Sequence, residues 1–410
     1  MADELAVWMY GKNVATIVQE RGRPHLAYTQ EALDNFQLGT PLLSLSLPLT
    51  NRQYPQGIVR PFLDGLLPEG EARKSIARNV GVGERDTYGL IRELGRDCAG
   101  AIVIQAADAA VPVRPTILTA EKLEPEELEK LVRELRSAPL GFGGRVRISL
   151  AGVQEKVVLT RMLDGSWGRP VDGTPSTHIL KPEMASYPEA VENEAFCMRV
   201  AKHLGLDVAN VETTVVGARK LIVVERYDRI INDDGSVERI HQEDFCQATA
   251  TAPDLKYEDN GGPSLKRIAS ILESVAVPGS LEALLSAVTV NTMLGNGDAH
   301  AKNFSLLHNR NGSLQLAPLY DLISTLCYED DRLAMRIDNV FRTNRVTTDR
   351  IVNEAVTSWG MPRTRATEIV HDLLSCGPAA IAAAKDETPY LPQRIFDIVM
   401  HQIEAIGTAS

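Results

Sequence analysis

Cysteine is scarce in this 410-residue chain: Cys98, Cys197, Cys246, Cys327 and Cys376 are odd in number, and none lies within about 40 residues of another. That spacing excludes a disulfide framework and a zinc site built on paired thiols. Positive charge is short as well, with 43 Lys+Arg against 54 Asp+Glu and a formal net charge of −11. Intrinsic binding to a phosphate backbone, which needs clustered cations to release counterions, is therefore disfavoured, whereas a basic partner is not. No stretch approaches the ~18 consecutive apolar residues of a membrane span. The start, Met1-Ala2-Asp3-Glu4, lacks the basic region and apolar stretch of a signal peptide, so a cytoplasmic location without membrane contact is expected. Internal repeats and low-complexity tracts are also missing. What is present is ordinary globular usage, 44% apolar and 24% charged, in a length that allows two or three cores.

The amino-terminal part reads as a small β-rich unit, because Val7-Trp8-Met9-Tyr10 and Val14-Ala15-Thr16-Ile17 flank Gly11-Lys12-Asn13, a hairpin signal. The stretch from Arg60 to Gly70 is apolar and reads as turn-rich, and Ala101-Ile102-Val103-Ile104 is expected to close the unit as a buried strand. Residues 106–122 are rich in Ala and Pro without a period and read as a linker, ahead of a short charged helix from Glu124 to Arg136. Strand-like runs at Val157-Val158-Leu159, Ile179-Leu180 and Leu221-Ile222-Val223-Val224, with one helix between them, predict a five-stranded sheet. Beyond residue 241 helices dominate. Leu281, Leu284, Leu285 and Val288 form an amphipathic stripe, and residues 349–405 carry several more such segments. The expected organisation is a β-rich subdomain over 1–105, a linker and short helix over 106–140, a sheet-bearing lobe over 141–240 and a helical lobe over 241–410.

The stretch that carries chemistry is Gly295-Asn296-Gly297-Asp298-Ala299-His300-Ala301-Lys302-Asn303-Phe304-Ser305, followed by Leu314-Gln315-Leu316-Ala317-Pro318-Leu319-Tyr320-Asp321. Ser305 to His308 and Ser313 to Ala317 read as strands joined by the turn residues Asn309-Arg310-Asn311-Gly312, so the chain doubles back and brings Asp321 beside Asp298 and Asn303. Three oxygen-bearing side chains then converge, which is what phosphoryl transfer from a magnesium nucleotide requires. One carboxylate accepts the proton of the attacking hydroxyl, while an amide oxygen and a second carboxylate hold hard cations. Asp298 and Asn303 have the D-x-x-x-x-N spacing of a kinase catalytic loop, and Asp321 occupies the place of the metal-binding Asp. His300 reads as a backbone-bonded loop histidine, with a second-base role as the alternative. Lys302 is either a γ-phosphate contact or solvated. Both are candidate nucleotide contacts.

Upstream, Lys181 at the end of Thr177-His178-Ile179-Leu180-Lys181 fits the strand lysine that meets the α/β-phosphates. The helix from Pro188 to Leu204 places Glu194 on a mostly apolar stripe with Ala190, Met198 and Ala201. A carboxylate facing inward needs a cation, and Lys181 is the candidate. Glu225-Arg226-Tyr227-Asp228 lies where a kinase has its inter-lobe hinge; there Glu225 and Tyr227 are candidates for holding the adenine and Asp228 for the ribose, against the alternative of a salt-bridged strand exit. The phosphate-covering loop is discordant. Ser149-Leu150-Ala151-Gly152-Val153-Gln154-Glu155-Lys156 has a single glycine and is no G-x-G-x-x-G loop, although its amides can form an anion nest. Val153, Gln154 and Lys156 are the candidate contacts there, and Ser149 is a candidate phosphate acceptor or simply a strand end.

These residues together resemble the HipA family of serine/threonine kinase toxins from type II toxin–antitoxin modules. Arg60-Pro61-Phe62-Leu63-Asp64-Gly65-Leu66-Leu67-Pro68-Glu69-Gly70 and Gly95-Arg96-Asp97-Cys98-Ala99-Gly100-Ala101 look like its N-subdomain. The Ser149–Lys156 run, Thr177–Lys181, Glu225–Arg229, Gly297–Asn303 and Tyr320-Asp321 resemble its successive kinase motifs. The resemblance implies an α+β, two-lobed, protein-kinase-like fold, with a β-rich N-terminal subdomain and a helical C-terminal lobe, using ATP and Mg²⁺. It makes Asp298 the catalytic base, Asn303 and Asp321 the metal ligands, Lys181 a phosphate contact and Ser149 the autophosphorylation site. It further implies a HipB-type helix-turn-helix antitoxin as partner, DNA contact only through that antitoxin, and a protein substrate such as glutamyl-tRNA synthetase, whose modification would stop tRNA charging and promote persistence. Tyr227 departs mildly from the pattern, since the hinge aromatic is often Phe.

Two other readings compete. Gly297-Asp298-Ala299-His300 with Asn303 also resembles the G-D-x-H-x-x-N loop of aminoglycoside-type small-molecule phosphotransferases, for which the first 100 residues would have no use. A catalytically dead binding module is opposed by the joint presence of Lys181, Asp298, Asn303 and Asp321.

Overall fold

Tyr10 and Gly11 both take positive φ, 50° and 79°, the pair of conformations that a two-residue hairpin turn of type I′ needs. They join the strands Glu4–Met9 and Lys12–Glu20, with Met9 facing Lys12, one residue earlier than the expected turn. Arg23–Tyr28 and Ile102–Ala106 complete a four-stranded antiparallel sheet in which the last strand pairs with the first, so the expected closing strand is present. In this computed structural model, residues 4–135, 150, 154–184 and 186–408 are described. They fall into two units. One comprises Met1–Pro182, Val215–Arg219 and Val223–Pro253, and the other Glu183–Thr214, Lys220–Ile222 and Asp254–Ser410.

In the first unit the stretch expected to be turn-rich is instead the helix Gln56–Leu66 followed by the helix Gly70–Val80. Pro61 lies inside the first of these and removes one backbone hydrogen bond. Val59, Phe62, Leu63 and Leu66, spaced i, i+3, i+4, i+7, are all buried, and at roughly 1.5–3 kcal/mol for each large side chain their burial outweighs that loss. They pack into a core with Leu5, Val7, Ile17, Leu26 and Ile104. The larger sheet has six strands, not five: Glu121–Lys122, Trp167–Arg169, Val157–Arg161 and His178–Pro182 follow one another in that order within this unit, and the residues of Arg219–Glu225 and Val211–Val216 are divided between the two units. Its first strand comes from the segment expected to be a linker. The charged helix Pro125–Arg133 follows, opened by Glu124, whose N–H is accepted by the Glu127 carboxylate at 2.9 Å.

In the second unit, Ala190–His203 is buried on almost every side, including Glu192, Asn193 and Glu194. Ser280–Leu294 begins as the expected amphipathic helix and ends buried all round from Ala287 to Leu294. It packs against the long helix Arg363–Asp386 and against Gln393–Thr408. Strands Ser305–His308 and Leu314–Leu316 form the expected hairpin, with Leu306 opposite Leu316. Among the described residues no helix is long and apolar enough to cross a membrane.

Candidate active site

The helix Ser280–Leu294 stops because Gly295 adopts the left-handed conformation (φ 66°) and returns its N–H to the carbonyls of Asn291 and Thr292. The next residues are then pinned one by one. Asn296 Nδ2 donates to Asn291 Oδ1 at 2.7 Å, Gly297 N–H donates to Thr325 Oγ1 at 2.9 Å, and Gly297 O accepts from Ala334 N–H at 2.7 Å. Asp298 N–H donates to Asn296 Oδ1 at 3.1 Å. The Asp298 side chain keeps access to solvent, and Tyr257 Oη donates to its Oδ1 at 2.8 Å. Loss of surrounding water pushes this carboxyl above its ordinary value, and the Tyr257 hydrogen bond and the Lys256 ammonium oppose the rise.

Asn303 ends the short turn Ala301–Asn303, immediately before the hairpin. The hairpin returns the chain so that Asn303 Nδ2 donates to Asp321 Oδ2 at 3.1 Å. Asp321 takes φ 59°, unusual for a residue with a side chain though tolerated by Asp. Tyr320 Oη anchors the same stretch by donating to Lys302 O at 2.6 Å. Asn303 Oδ1 is buried and accepts no hydrogen bond among the described residues, which is costly unless something else takes it. An amide oxygen with an open lone pair beside a carboxylate suits a hard divalent cation whose other ligands are phosphate oxygens and water. His300 and Lys302 are both buried, so Lys302 is not a solvated lysine. The His300 ring meets the Tyr257 ring edge-on at 5.3 Å. Spacing thus anticipated the meeting of Asn303 with Asp321, but gave no warning of Tyr257 beside Asp298. Its signal was local: a tyrosine in Lys256-Tyr257-Glu258-Asp259-Asn260-Gly261-Gly262, where polar turn residues surround one aromatic.

The remaining candidates lie in the first unit, apart from Glu194, which is buried in the second. Lys181 is buried on its strand, whose register sets Leu180 opposite Val157. Lys156, immediately before the strand Val157–Arg161, is also buried. Gln154 is half-buried, Glu225 is exposed, and the hydroxyl of half-buried Tyr227 bonds Gln242 Oε1. Ser149 and Val153 lie outside the described residues.

Asp228 does not have the open carboxylate that a ribose contact requires. It is 2% exposed, its Oδ2 takes Arg226 Nη2 at 2.8 Å, Arg229 Nη1 at 3.0 Å and Gly100 N–H at 2.7 Å, and its Oδ1 takes Arg226 Nε at 3.0 Å. Burial alone would raise its pKa, but Arg226 and Arg229 hold it well below the usual carboxylate range. The salt-bridged exit is the arrangement observed. Asp97 completes it, accepting from Arg229 at 3.0 Å, Arg239 at 3.2 Å and Ser176 Oγ at 2.6 Å. Nothing in sequence spacing relates Asp97 to Asp228.

Residues 148–381 match the family model described as HipA-like C-terminal domain, and residues 5–105 match the HipA N-terminal domain. The chain is 42% identical over 342 residues to "Putative kinase Y4mE" of Sinorhizobium fredii, covering 81% of this chain and 80% of that one. It is 35% identical over 305 residues to the serine/threonine-protein kinase toxin HipA of Shewanella oneidensis, covering 70% and 68%. A solved complex of HipA, HipB and operator DNA from Shewanella oneidensis MR-1 superposes with a TM-score of 0.83 at 29% identity, covering 98% of this chain and 95% of that one.

Proposed function

Because the chain belongs to the HipA family and is a serine/threonine protein kinase of the expected α+β, kinase-like fold, we propose that it is the toxin of a type II toxin–antitoxin module acting through Asp298. The observation that carries the site assignment is the open Asn303 oxygen held beside the Asp321 carboxylate, five residues after a solvent-accessible Asp298. In this reading Asn303 and Asp321 would hold Mg²⁺, which would supply positive charge against the negative charge of the ATP phosphates. Lys181 and Lys156 contact the phosphates, with Val153 and Gln154 of the covering loop, His300 and Lys302. Glu225 and Tyr227 flank the adenine, and Glu194 is the carboxylate assigned to Lys181. Asp298 orients the substrate hydroxyl and takes its proton as the oxygen–phosphorus bond forms and the bond to the β-phosphate oxygen breaks, leaving ADP.

The proposed substrate is an aminoacyl-tRNA synthetase, glutamyl-tRNA synthetase first, whose modification in the cytoplasm would arrest translation and promote persistence. The proposed partner is a HipB-type antitoxin, with DNA reached only through it, as the HipA–HipB–DNA complex of the relative suggests. Ser149 is the proposed site of self-inactivation. The match of residues 5–105 to the HipA N-terminal domain supports this reading over a small-molecule phosphotransferase.

The test is incubation of the chain with γ-labelled ATP and a bacterial lysate, with identification of the labelled protein. Asp298→Asn should lower transfer by roughly 10²–10⁴-fold with ATP still bound. Mass spectrometry should find phosphate on Ser149 of the wild type and none in Asp298→Asn. A wild type that labels nothing, or an Asp298→Asn variant that labels as fast, overturns the reading.

A further inference from the structure

Tyr257 belongs to none of the kinase elements named so far, yet it makes the one side-chain hydrogen bond that Asp298 receives among the described residues, at 2.8 Å on Oδ1. The other oxygen, Oδ2, accepts none there. A carboxylate turns easily about its last side-chain bond, so a donor fixed on one oxygen sets the plane of the group and the direction of the second oxygen's lone pairs. A donor can do this only if it is itself held in place.

Tyr257 is held from three sides. Its carbonyl accepts from Asn260 N–H and Gly262 N–H, both at 3.0 Å, closing a tight turn. A side chain at position 262 would not fit that turn, since a Cβ there would lie 2.2 Å from Leu255 O. The turn is then tied to the strand Arg332–Ile337: Asp259 meets Arg332 at 2.5 Å and Arg336 at 2.8 Å, and Arg336 N–H donates to Glu258 Oε2 at 2.7 Å. That strand also holds the loop before Asp298, through Ala334 N–H to Gly297 O at 2.7 Å. The circuit from Gly297 through the strand, Asp259 and Tyr257 back to Asp298 is therefore closed by hydrogen bonds. The Tyr257 ring is wedged as well, edge-on to His300 at 5.3 Å and under the Lys256 ammonium at 5.5 Å.

We infer that Tyr257 is a positioning residue for phosphoryl transfer: its phenol clamps Oδ1 of Asp298 so that Oδ2 is presented to the hydroxyl of the protein substrate. The inference rests on the proposed role of Asp298. A hydrogen bond to the base lowers its basicity somewhat, but misplacement of a reacting group is the larger effect, and orientation decides the sign.

The test compares the wild type, Tyr257→Phe, Asp298→Asn and the double variant, measuring the rate at which label from γ-labelled ATP enters the protein that the wild type labels in lysate, and ATP affinity by titration. Tyr257→Phe is isosteric and should keep both fold and ATP affinity. It should slow transfer at saturating ATP by on the order of 10- to 10²-fold, the scale on which misplacement costs rate. In the Asp298→Asn background the same change should cost nothing further, because the group it positions is gone. Wild-type transfer by Tyr257→Phe, or the same fold-loss in both backgrounds, overturns the inference. If Asp298→Asn itself transfers normally, the kinase reading of the site fails first, and the two failures are thereby distinguished.

Discussion

Asn303 Nδ2 and Asp321 Oδ2, 18 residues apart in the chain, meet at 3.1 Å because the hairpin between them returns the chain on itself. The contact uses the amide's donor and leaves its oxygen, and so fixes which end of Asn303 is offered to a cation. Mg²⁺-ATP should raise the melting temperature of the wild type, since a ligand that binds only the folded chain stabilises it by RT ln(1 + [L]/Kd), about 2.7 kcal/mol at 100 Kd. Asp321→Asn should lose much of this shift. Without ligand it should melt near the wild type, because Asn keeps an acceptor for Asn303 and tolerates the positive φ that Asp321 adopts. An unchanged shift in Asp321→Asn, read by calorimetry, would remove Asp321 from the metal site.

The buried Asp97–Arg226–Asp228–Arg229–Arg239 cluster predicts a specific acid sensitivity. Burial favours the neutral carboxyls, but Arg229, Arg239 and Arg226 outweigh it at Asp97, and Arg226 and Arg229 at Asp228, so both pKa values are depressed. The stabilisation is complete above the unfolded value of about 3.9 and is lost as pH falls towards the folded values, because the unfolded chain takes up protons first. Asp97→Asn leaves three guanidinium groups against one aspartate. It should cost about 3–5 kcal/mol at neutral pH and flatten the acid limb of a urea-denaturation series. An unaltered limb would show that the cluster does not govern acid unfolding.

What the sequence disclosed depended on how far apart the cooperating residues lie. The pairing of Ser305–His308 with Leu314–Leu316 was legible because Asn309 to Gly312 are turn formers and both strands lie beside them. The approach of Asn303 to Asp321 follows from that pairing. The helix at Gln56–Leu66 was masked by Pro61 and Gly65, local breakers that burial of Phe62 and Leu63 overrides. Arg226 and Arg229 beside Asp228 made a salt-bridged exit legible as an alternative, but its further partner Gly100 lies 128 residues upstream, where no periodicity reaches. Tyr257 is likewise 41 residues from Asp298, and only the fold of the intervening helices joins them.

The cysteines give a chemical check on burial. Cys98, Cys197, Cys246 and Cys327 are buried thiols and Cys376 is exposed. Burial pushes Cys98 up to about 12 and raises Cys197 and Cys327 as well, and the thiolate is the reactive form. Iodoacetamide at mildly alkaline pH should therefore add one carbamidomethyl group to the native chain, on Cys376, and five to the unfolded chain. Rapid labelling of Cys98 in the native chain would contradict the packing of the segment that carries Asp97.

Gly297, next to the proposed base, is required by a close backbone approach. A Cβ there would lie 2.2 Å from Arg332 O and 2.9 Å from Thr325 Oγ1, the hydroxyl that accepts the Gly297 N–H. Backbone cannot rotate aside as a side chain can, so Gly297→Ala must push the loop away from the strand Arg332–Ile337. That should cost about 1–3 kcal/mol, the usual scale of overpacking, and it should displace Asp298 directly. Asn303 and Asp321 are held by the hairpin, so ATP affinity should fall less than transfer. Gly407 is the control: it lies in a helix with nothing within 4 Å of its added Cβ, and Gly407→Ala should be neutral or stabilising by up to about 1 kcal/mol. Urea denaturation and the labelled-ATP assay on both variants decide the matter, and a Gly297→Ala chain as stable and as active as the wild type would show that the loop has room that its hydrogen bonds deny.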